Sequence, residues 1–225
     1  MKILAVDTST MSLSVAITGK SGLLSEITVI NNQTHSIHLI NLIKRALGIS
    51  GLSIKDIDGY AVTNGPGTFT GLRIGISTIK GLAAATHKPI VGISSLEALA
   101  SQAGPAANLI CPFMDARRGE IYTNLYRSKN GRMIQIEDER VIDPSEMIDQ
   151  ICETCIFIGN GAKLYREIIE KKLGEKAVFA SEKQNIIQAS SIAYLGRDRF
   201  TNLNTEDNTQ FVPVYIRKSD AEIKK

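Results

Sequence analysis

Tryptophan is absent from this chain, and histidine and cysteine occur only three times each. The histidines, His35, His38 and His87, all fall before residue 88, and no G-x-S-x-G elbow accompanies them. A Ser–His hydrolase triad therefore has no visible frame. The cysteines, Cys111, Cys152 and Cys155, are odd in number, which argues against the paired framework of a secreted domain. Acidic and basic residues nearly cancel: 26 Lys and Arg against 23 Asp and Glu leave a formal charge of +3. So small an excess argues against a protein whose affinity comes mainly from nucleic-acid phosphates. No window approaches the ~18 uncharged apolar residues of a membrane span. The apolar start, Met1–Val6, stops at Asp7, short of the ~7–15 residues of a signal-peptide apolar region. A cytoplasmic protein without membrane contact is expected.

What the chain does have is an ordinary globular composition, 43% hydrophobic and 22% charged over 225 residues. At ~150 residues per domain that suits one large or two small domains. Lys2–Val6, Ser12–Thr18 and Leu23–Ile30 read as strands, the last two joined by the hairpin signal Gly19–Gly22. A helix is predicted from Thr34 to Leu47, with Ile37, Ile40, Ile43 and Leu47 at helical spacing and Gly48 at its C-cap. Strand Asp58–Thr63, a glycine-rich loop at 64–71, helix Leu72–Ala85, strand Pro89–Ile93 and helix Ser94–Gln102 follow. Beyond Gly104 the pattern restarts. Strands Asn108–Met114, Glu120–Arg127 and Arg132–Glu139, the last two joined by a turn at Asn130-Gly131, precede helix Pro144–Cys152. Strand Ile156–Gly159, helix Ala162–Lys172, strand Ala177–Phe179 and helix Ile186–Phe200 complete the set. Two β-β-β-α-β-α-β-α series, each opening with a strand that ends on an aspartate (Asp7, Asp115), predict a duplicated α/β fold. The halves are placed at 1–103 and 104–225, with the last helix and tail returning to the first half.

Two such halves resemble the actin-like ATPase (ASKHA) fold, in which each half offers an aspartate and a tight hairpin to a nucleotide's phosphates. That resemblance marks Asp7, Ser9, Thr10 and Asp115 as a vestigial phosphate site. Glycine is expected two residues after the aspartate, because the backbone must approach the phosphate closely. Ser9 and Arg117 stand there instead. Gly159-Asn160-Gly161 falls where such folds touch adenosine, or serves as a helix-entry turn. The loop at 64–71 lacks the GK[ST] ending of a Walker A motif.

Four segments make a closer resemblance: ILAVDTST at 3–10, NGPGTFTGLRIG at 64–75, MDARRGEIY at 114–122 and PVYIR at 213–217. Together they resemble the TsaB (YeaZ) family of the tRNA threonylcarbamoyladenosine pathway. The resemblance implies a non-catalytic partner of the paralogue TsaD. With the ATPase TsaE, it would support transfer of threonylcarbamoyl from its adenylate to N6 of adenosine 37 in tRNA. It also implies no cofactor of its own, with any adenine nucleotide at the complex interface, tRNA reached only through the complex, and a homodimer when the chain is alone. The alternative is a stand-alone nucleotide-binding or M22 peptidase-like enzyme. In TsaD two histidines four apart hold a metal; the matching positions here are Ser95 and Leu99, so no metal is expected.

The remaining features are surface and thiols. Cys152-Glu-Thr-Cys155 is formally a CxxC, but no second pair or nearby histidine completes a zinc site, and it runs into a strand rather than a helix. Glycines at 71, 75 and 81 of the second helix each cost ~1 kcal/mol relative to Ala, which calls for the close approach of another helix. Arg73 in the first turn opposes the helix dipole unless it meets an acid or phosphate. The first helix adds Leu39 and Leu42 to its main stripe, so it is apolar over more than one face. A partner surface is expected on His35, Ile37, His38, Leu39 and Leu42 of the first helix and Gly71, Arg73, Gly75 and Thr78 of the second.

Overall fold

The computed structural model describes residues 1–30, 35–104, 108–129, 132–202 and 211–217. The predicted Thr34 helix start and the Asn130-Gly131 turn lie outside the described residues. The first unit comprises Met1–Ser95 and Ile187–Tyr215, and the second Leu96–Ile186 and Ile216–Lys225.

In the first unit, β1 (Ile3–Asp7), β2 (Ser12–Gly19) and β3 (Gly22–Ile30) lead into α1 (His35–Ile49), β4 (Gly59–Gly65), α2 (Phe69–Thr86) and β5 (Ile90–Ser94). The sheet order is β3-β2-β1-β4-β5, antiparallel across the first three strands and parallel from β1 to β5. Ile3, Leu4, Ala5 and Val6 of β1 are all fully buried, as a continuous apolar run on a central strand requires when both sheet faces are covered. Leu4, Val6, Val15 and Val62 share one core with Leu39, Ile43, Ala46, Ile76 and Ile79, so α1 and α2 cover that face. The other face is small, with Ala5, Ala16 and Ala61. It takes α7 (Ala189–Thr201), whose first turn is fixed by Ser14 Oγ accepting from Ala189 N–H (2.9 Å) and Glu26 Oε1 from Ser190 N–H (2.8 Å). This packing is why a helix from the end of the chain belongs to the first unit.

The second unit repeats the plan. It holds most of α3 (Ser95–Gln102), then β6 (Leu109–Arg117), β7 (Glu120–Thr123), β8 (Tyr126–Lys129), β9 (Arg132–Gln135) and β10 (Arg140–Ile142). After these come α4 (Pro144–Asp149), β11 (Cys155–Ile158), α5 (Asn160–Leu164), α6 (Arg166–Leu173) and β12 (Ala177–Phe179). The order β10-β7-β6-β11-β12 mirrors that of the first sheet, and β8 and β9 are a hairpin added off β6.

Two expected elements are divided in the structure. Glu120–Arg127 is not one strand: it breaks at Asn124-Leu125, where Asn124 Oδ1 accepts the Leu125 N–H (2.6 Å) in place of a ladder bond. The equivalent of β3 is therefore β10 rather than the run from Arg132. The expected Ala162–Lys172 helix is split at Tyr165, whose φ of −103° and ψ of 18° leave the helical region.

Gly196 of α7 lies so close to the sheet that an added Cβ would meet Ala61 Cβ at 2.9 Å and Val91 Cγ2 at 3.3 Å. Gly196→Leu is expected to lower stability by about 1–3 kcal/mol through overpacking, read as a fall in the urea midpoint at constant m-value.

Candidate functional site

Asp7 ends β1 fully buried. Its Oδ1 accepts from Ser9 N–H (3.0 Å), Ser9 Oγ–H (2.7 Å) and Thr63 Oγ1–H (2.7 Å). Thr10 Oγ1 pairs with Ser12 Oγ at 2.8 Å. The rest of the turn rests on α2. Thr8 Oγ1 donates to Gly71 O (2.7 Å), and Thr68 N–H donates to Ser9 O (2.8 Å). A Cβ at Gly71 would stand 2.0 Å from Thr8 O, one at Gly75 2.3 Å from Thr8 Oγ1, and one at Gly67 2.5 Å from Ser9 O. The small residues of α2 therefore admit the chain's own β1–β2 turn. Gly71 and Gly75 are buried and do not lie on an open partner face; of the three α2 glycines, Gly81 is exposed with nothing within 4 Å of its Cβ position.

The second unit repeats the aspartate geometry. Asp115 Oδ1 accepts from Arg117 N–H at 2.8 Å, two residues on, as Asp7 does from Ser9. Arg117 and Arg118 then take φ of 60° and 57° before Gly119 at 78°. Left-handed backbone costs a non-glycine residue about 1–2 kcal/mol. The turn is braced from within its unit: Arg217 Nη1 donates to Ala116 O at 2.9 Å, and Arg217 pairs with Glu120. Asn160 Oδ1 accepts the Asp115 N–H (3.1 Å), and a Cβ at Gly159 or Gly161 would stand 2.7 or 2.6 Å from Phe113 O. Gly159-Asn160-Gly161 thus seats α5 against the end of β6. Burial raises the Tyr165 hydroxyl pKa above its ordinary value, with the nearby charges of Asp115 and Asp143 adding to it.

A nucleotide phosphate in either loop would need backbone N–H groups turned toward it. At the position two after each aspartate that N–H is already given to the aspartate, and the side chains of Ser9 and Arg117 occupy the place of glycine. The residues present do not fit phosphate binding of that kind.

Ser95 and Leu99 are buried at 0% and 1% exposure, and Leu99 carries no donor atom for a metal. Among the described residues no group of three His, Cys, Asp or Glu side chains is placed to hold a metal ion, and no helix is long and apolar enough to cross a membrane. Cys155 is buried and Cys152 exposed, so the CxxC does not present two accessible thiols. Burial pushes the Cys155 thiol pKa up, helped by the adjacent Cys111. That is opposite to the shift that makes a thiol reactive.

The α1–α2 surface differs from expectation in detail. Leu39, expected at a partner surface, is 1% exposed and packs in the core with Ile43, and Leu42 packs partly buried against them. Ile37, expected at the partner surface, is 64% exposed, and Ile40, which shares its helical spacing with Ile43, is 42% exposed. The 3.6-residue period supports two adjacent stripes on α1, and only the sheet beneath selects between them. The side chain of His35 lies outside the described residues; His38 and Thr78 are half-buried. Among the described residues Arg73 pairs with no carboxylate. Its guanidinium lies 3.7 Å over the Phe69 ring and its Nε donates to Tyr215 Oη at 3.1 Å, while Phe69 and Tyr215 stack at 4.9 Å. Sequence reasoning missed both aromatics, although Tyr215 stands within the PVYIR motif.

A family model described as TsaD: tRNA N6-adenosine threonylcarbamoyltransferase matches residues 22–225. A tRNA threonylcarbamoyladenosine biosynthesis protein TsaB from Bacillus subtilis (strain 168) is 34% identical over 227 residues, spanning 100% of this chain and 97% of its own. The solved structure of YeaZ from Pseudomonas aeruginosa aligns with a TM-score of 0.80 and 26% identity, covering 95% of this chain and 100% of that one. At 10% identity and a TM-score of 0.55, the activator of the 2-hydroxyisocaproyl-CoA dehydratase from Clostridium difficile, with bound ADPNP, covers 92% of this chain and 99% of its own and shares the fold alone. The architecture is that of the actin-like ATPases.

Three measurements check this geometry. Gly71→Ala is expected to destabilise by about 1–3 kcal/mol because its Cβ meets backbone, whereas Gly81→Ala gains up to ~1 kcal/mol of helix propensity; urea unfolding of both separates them. In native protein a thiol reagent should label Cys152 alone, with Cys111 and Cys155 reacting only on unfolding. Unfolded thiols ionise near ~8.5 while Cys155 stays protonated when folded, so the folded state holds more protons above that pH and stability should fall as pH rises.

Proposed function

Because the chain belongs to the TsaB (YeaZ) family, we propose that it is the non-catalytic partner of TsaD in tRNA threonylcarbamoyladenosine biosynthesis. It works with TsaE during transfer of threonylcarbamoyl to N6 of adenosine 37, performs no chemistry itself and reaches tRNA through the complex. The observation that carries this reading is the pairing of two closed aspartate loops with an open helical face. Asp7 is buried and bonded to its own loop, while Ile37 and Ile40 of α1 stand in solvent. Aliphatic side chains so exposed on one helix are what a protein partner would cover. When TsaD is missing, the same face would pair with a second copy. The adenine nucleotide expected of this fold is assigned to the interface of the complex rather than to Asp7 or Asp115 alone.

Reconstitution tests the reading. Threonylcarbamoyl transfer by TsaD and TsaE should depend on this chain, and equal activity without it would end the proposal. Ile37→Asp should abolish co-purification with TsaD while leaving the urea midpoint unchanged, since the side chain lies outside the core. Gly75 is unsuitable for this test, because enlarging it disturbs Thr8 first. Calorimetry with ATP and Mg²⁺ on the isolated chain should give no binding heat; turnover would favour the stand-alone enzyme.

A further inference from the structure

The two helices of the open face contain no acidic residue. Across α1 (HSIHLINLIKRALGI) and α2 (FTGLRIGISTIKGLAAAT) the charges are Lys44, Arg45, Arg73 and Lys80, in a chain otherwise close to neutral. Lys80 serves the fold, since its Nζ donates to Phe211 O at 3.0 Å. Arg73 is the cation with a constructed seat. Phe69 lies under its guanidinium and Tyr215, 142 residues away in sequence, accepts from its Nε.

That seat is itself anchored. Phe211 is 2% exposed in the core of the unit, and Val214 N–H donates to Asn64 O at 2.7 Å. A Cβ at Gly65 would stand 2.2 Å from Val214 O, so this extended segment lies directly on the glycine-rich loop. The segment presents Val212, Val214 and Tyr215 at 62%, 51% and 40% exposure beside Phe69 at 37%. Arg73 is exposed, and among the described residues no carboxylate pairs with its terminal nitrogens.

Resting on the partner reading above, we propose that Arg73, held by Phe69 and Tyr215, is the charged anchor of the docking face and receives a carboxylate from an acidic patch on the protein partner. A guanidinium fixed on one edge and one face keeps a planar pair of donors free for a carboxylate. Holding it in place beforehand removes most of the entropy cost of ordering the side chain on binding. Arginine ringed by aromatic and aliphatic side chains is also the usual composition of an interface hot spot. Exposed Ile37 and Ile40 share α1 with Lys44 and Arg45, and exposed Val212 and Val214 share the segment of Tyr215 that holds Arg73, a mixture that suits a protein surface better than a phosphate backbone.

Titration calorimetry of the full chain into TsaD, at about 50 and about 300 mM NaCl, tests the anchor. Arg73→Ala should weaken binding about tenfold at the lower salt and flatten the salt dependence. Arg73→Lys should not restore it, because the ammonium lacks the planar fork. Tyr215→Phe keeps the ring stack, loses only the hydroxyl and should weaken binding about threefold. The anchor is overturned if Arg73→Ala binds as wild type while Ile37→Asp does not, an outcome that leaves the partner reading standing. Unchanged binding by both variants overturns the anchor and the face that carries it, whereas no binding of the wild-type chain to TsaD overturns the partner reading itself. Loss of tRNA retention by Arg73→Ala with unchanged affinity for TsaD also overturns the anchor, in favour of a nucleic-acid contact.

Discussion

The β1–β2 turn rests on the first turns of α2 with no room for a side chain between them. Thr8 O and Oγ1 fill the space that a Cβ at Gly71 or Gly75 would need, and Ser9 O lies equally close to Gly67. This contact fixes the axial position and rotation of α2. With α2 set, Leu72, Ile76, Ile79 and Ala83 face inward and Phe69, Arg73, Ser77 and Gly81 outward. The glycine-rich loop is then a backbone platform on which residues 211–215 lie. The outward surface is built on this one close approach.

The same turn bears on what this fold offers to a nucleotide. An aspartate at the end of a first strand is what a nucleotide site of this architecture offers, and both units have one. In both, however, the aspartate accepts the N–H two residues later and closes its loop on itself. Repetition of that bond in two loops with no shared residue identity beyond the aspartate is a geometric mark of duplication. The second loop adds Arg117 and Arg118 in left-handed backbone, a cost that the Arg217 contacts to Ala116 and Glu120 offset within the unit.

Much of the fold was legible because its signals are local. Unbroken apolar runs marked the central strands, and turn chemistry marked the first hairpin. The order of elements revealed the duplication. Legibility failed where a local pattern allowed two answers. On α1, Ile37, Ile40 and Ile43 and the set Leu39, Ile43 and Ala46 obey the same helical period, and only packing against β2 and β3 decides which is buried. On α2, glycine spacing reports that something comes close, but not whether it is a partner or the chain's own turn. Near Asn124 a side-chain carbonyl replaced a ladder bond and split a run that alternation alone would have kept whole.

The amino-acid sequence by itself determined the duplicated α/β plan, the aspartates that end β1 and β6, and the motifs that point to the family, because each is written in residues close together along the chain. Only the tertiary structure decided that Asp7 is closed by Ser9 and Thr63, that Gly71 and Gly75 serve Thr8, and that Arg73 is held by Tyr215. Each of these joins residues tens to more than a hundred positions apart, or depends on distances of a few tenths of an ångström. Such contacts exist only once burial of the core has brought the segments together, and no local periodicity encodes them.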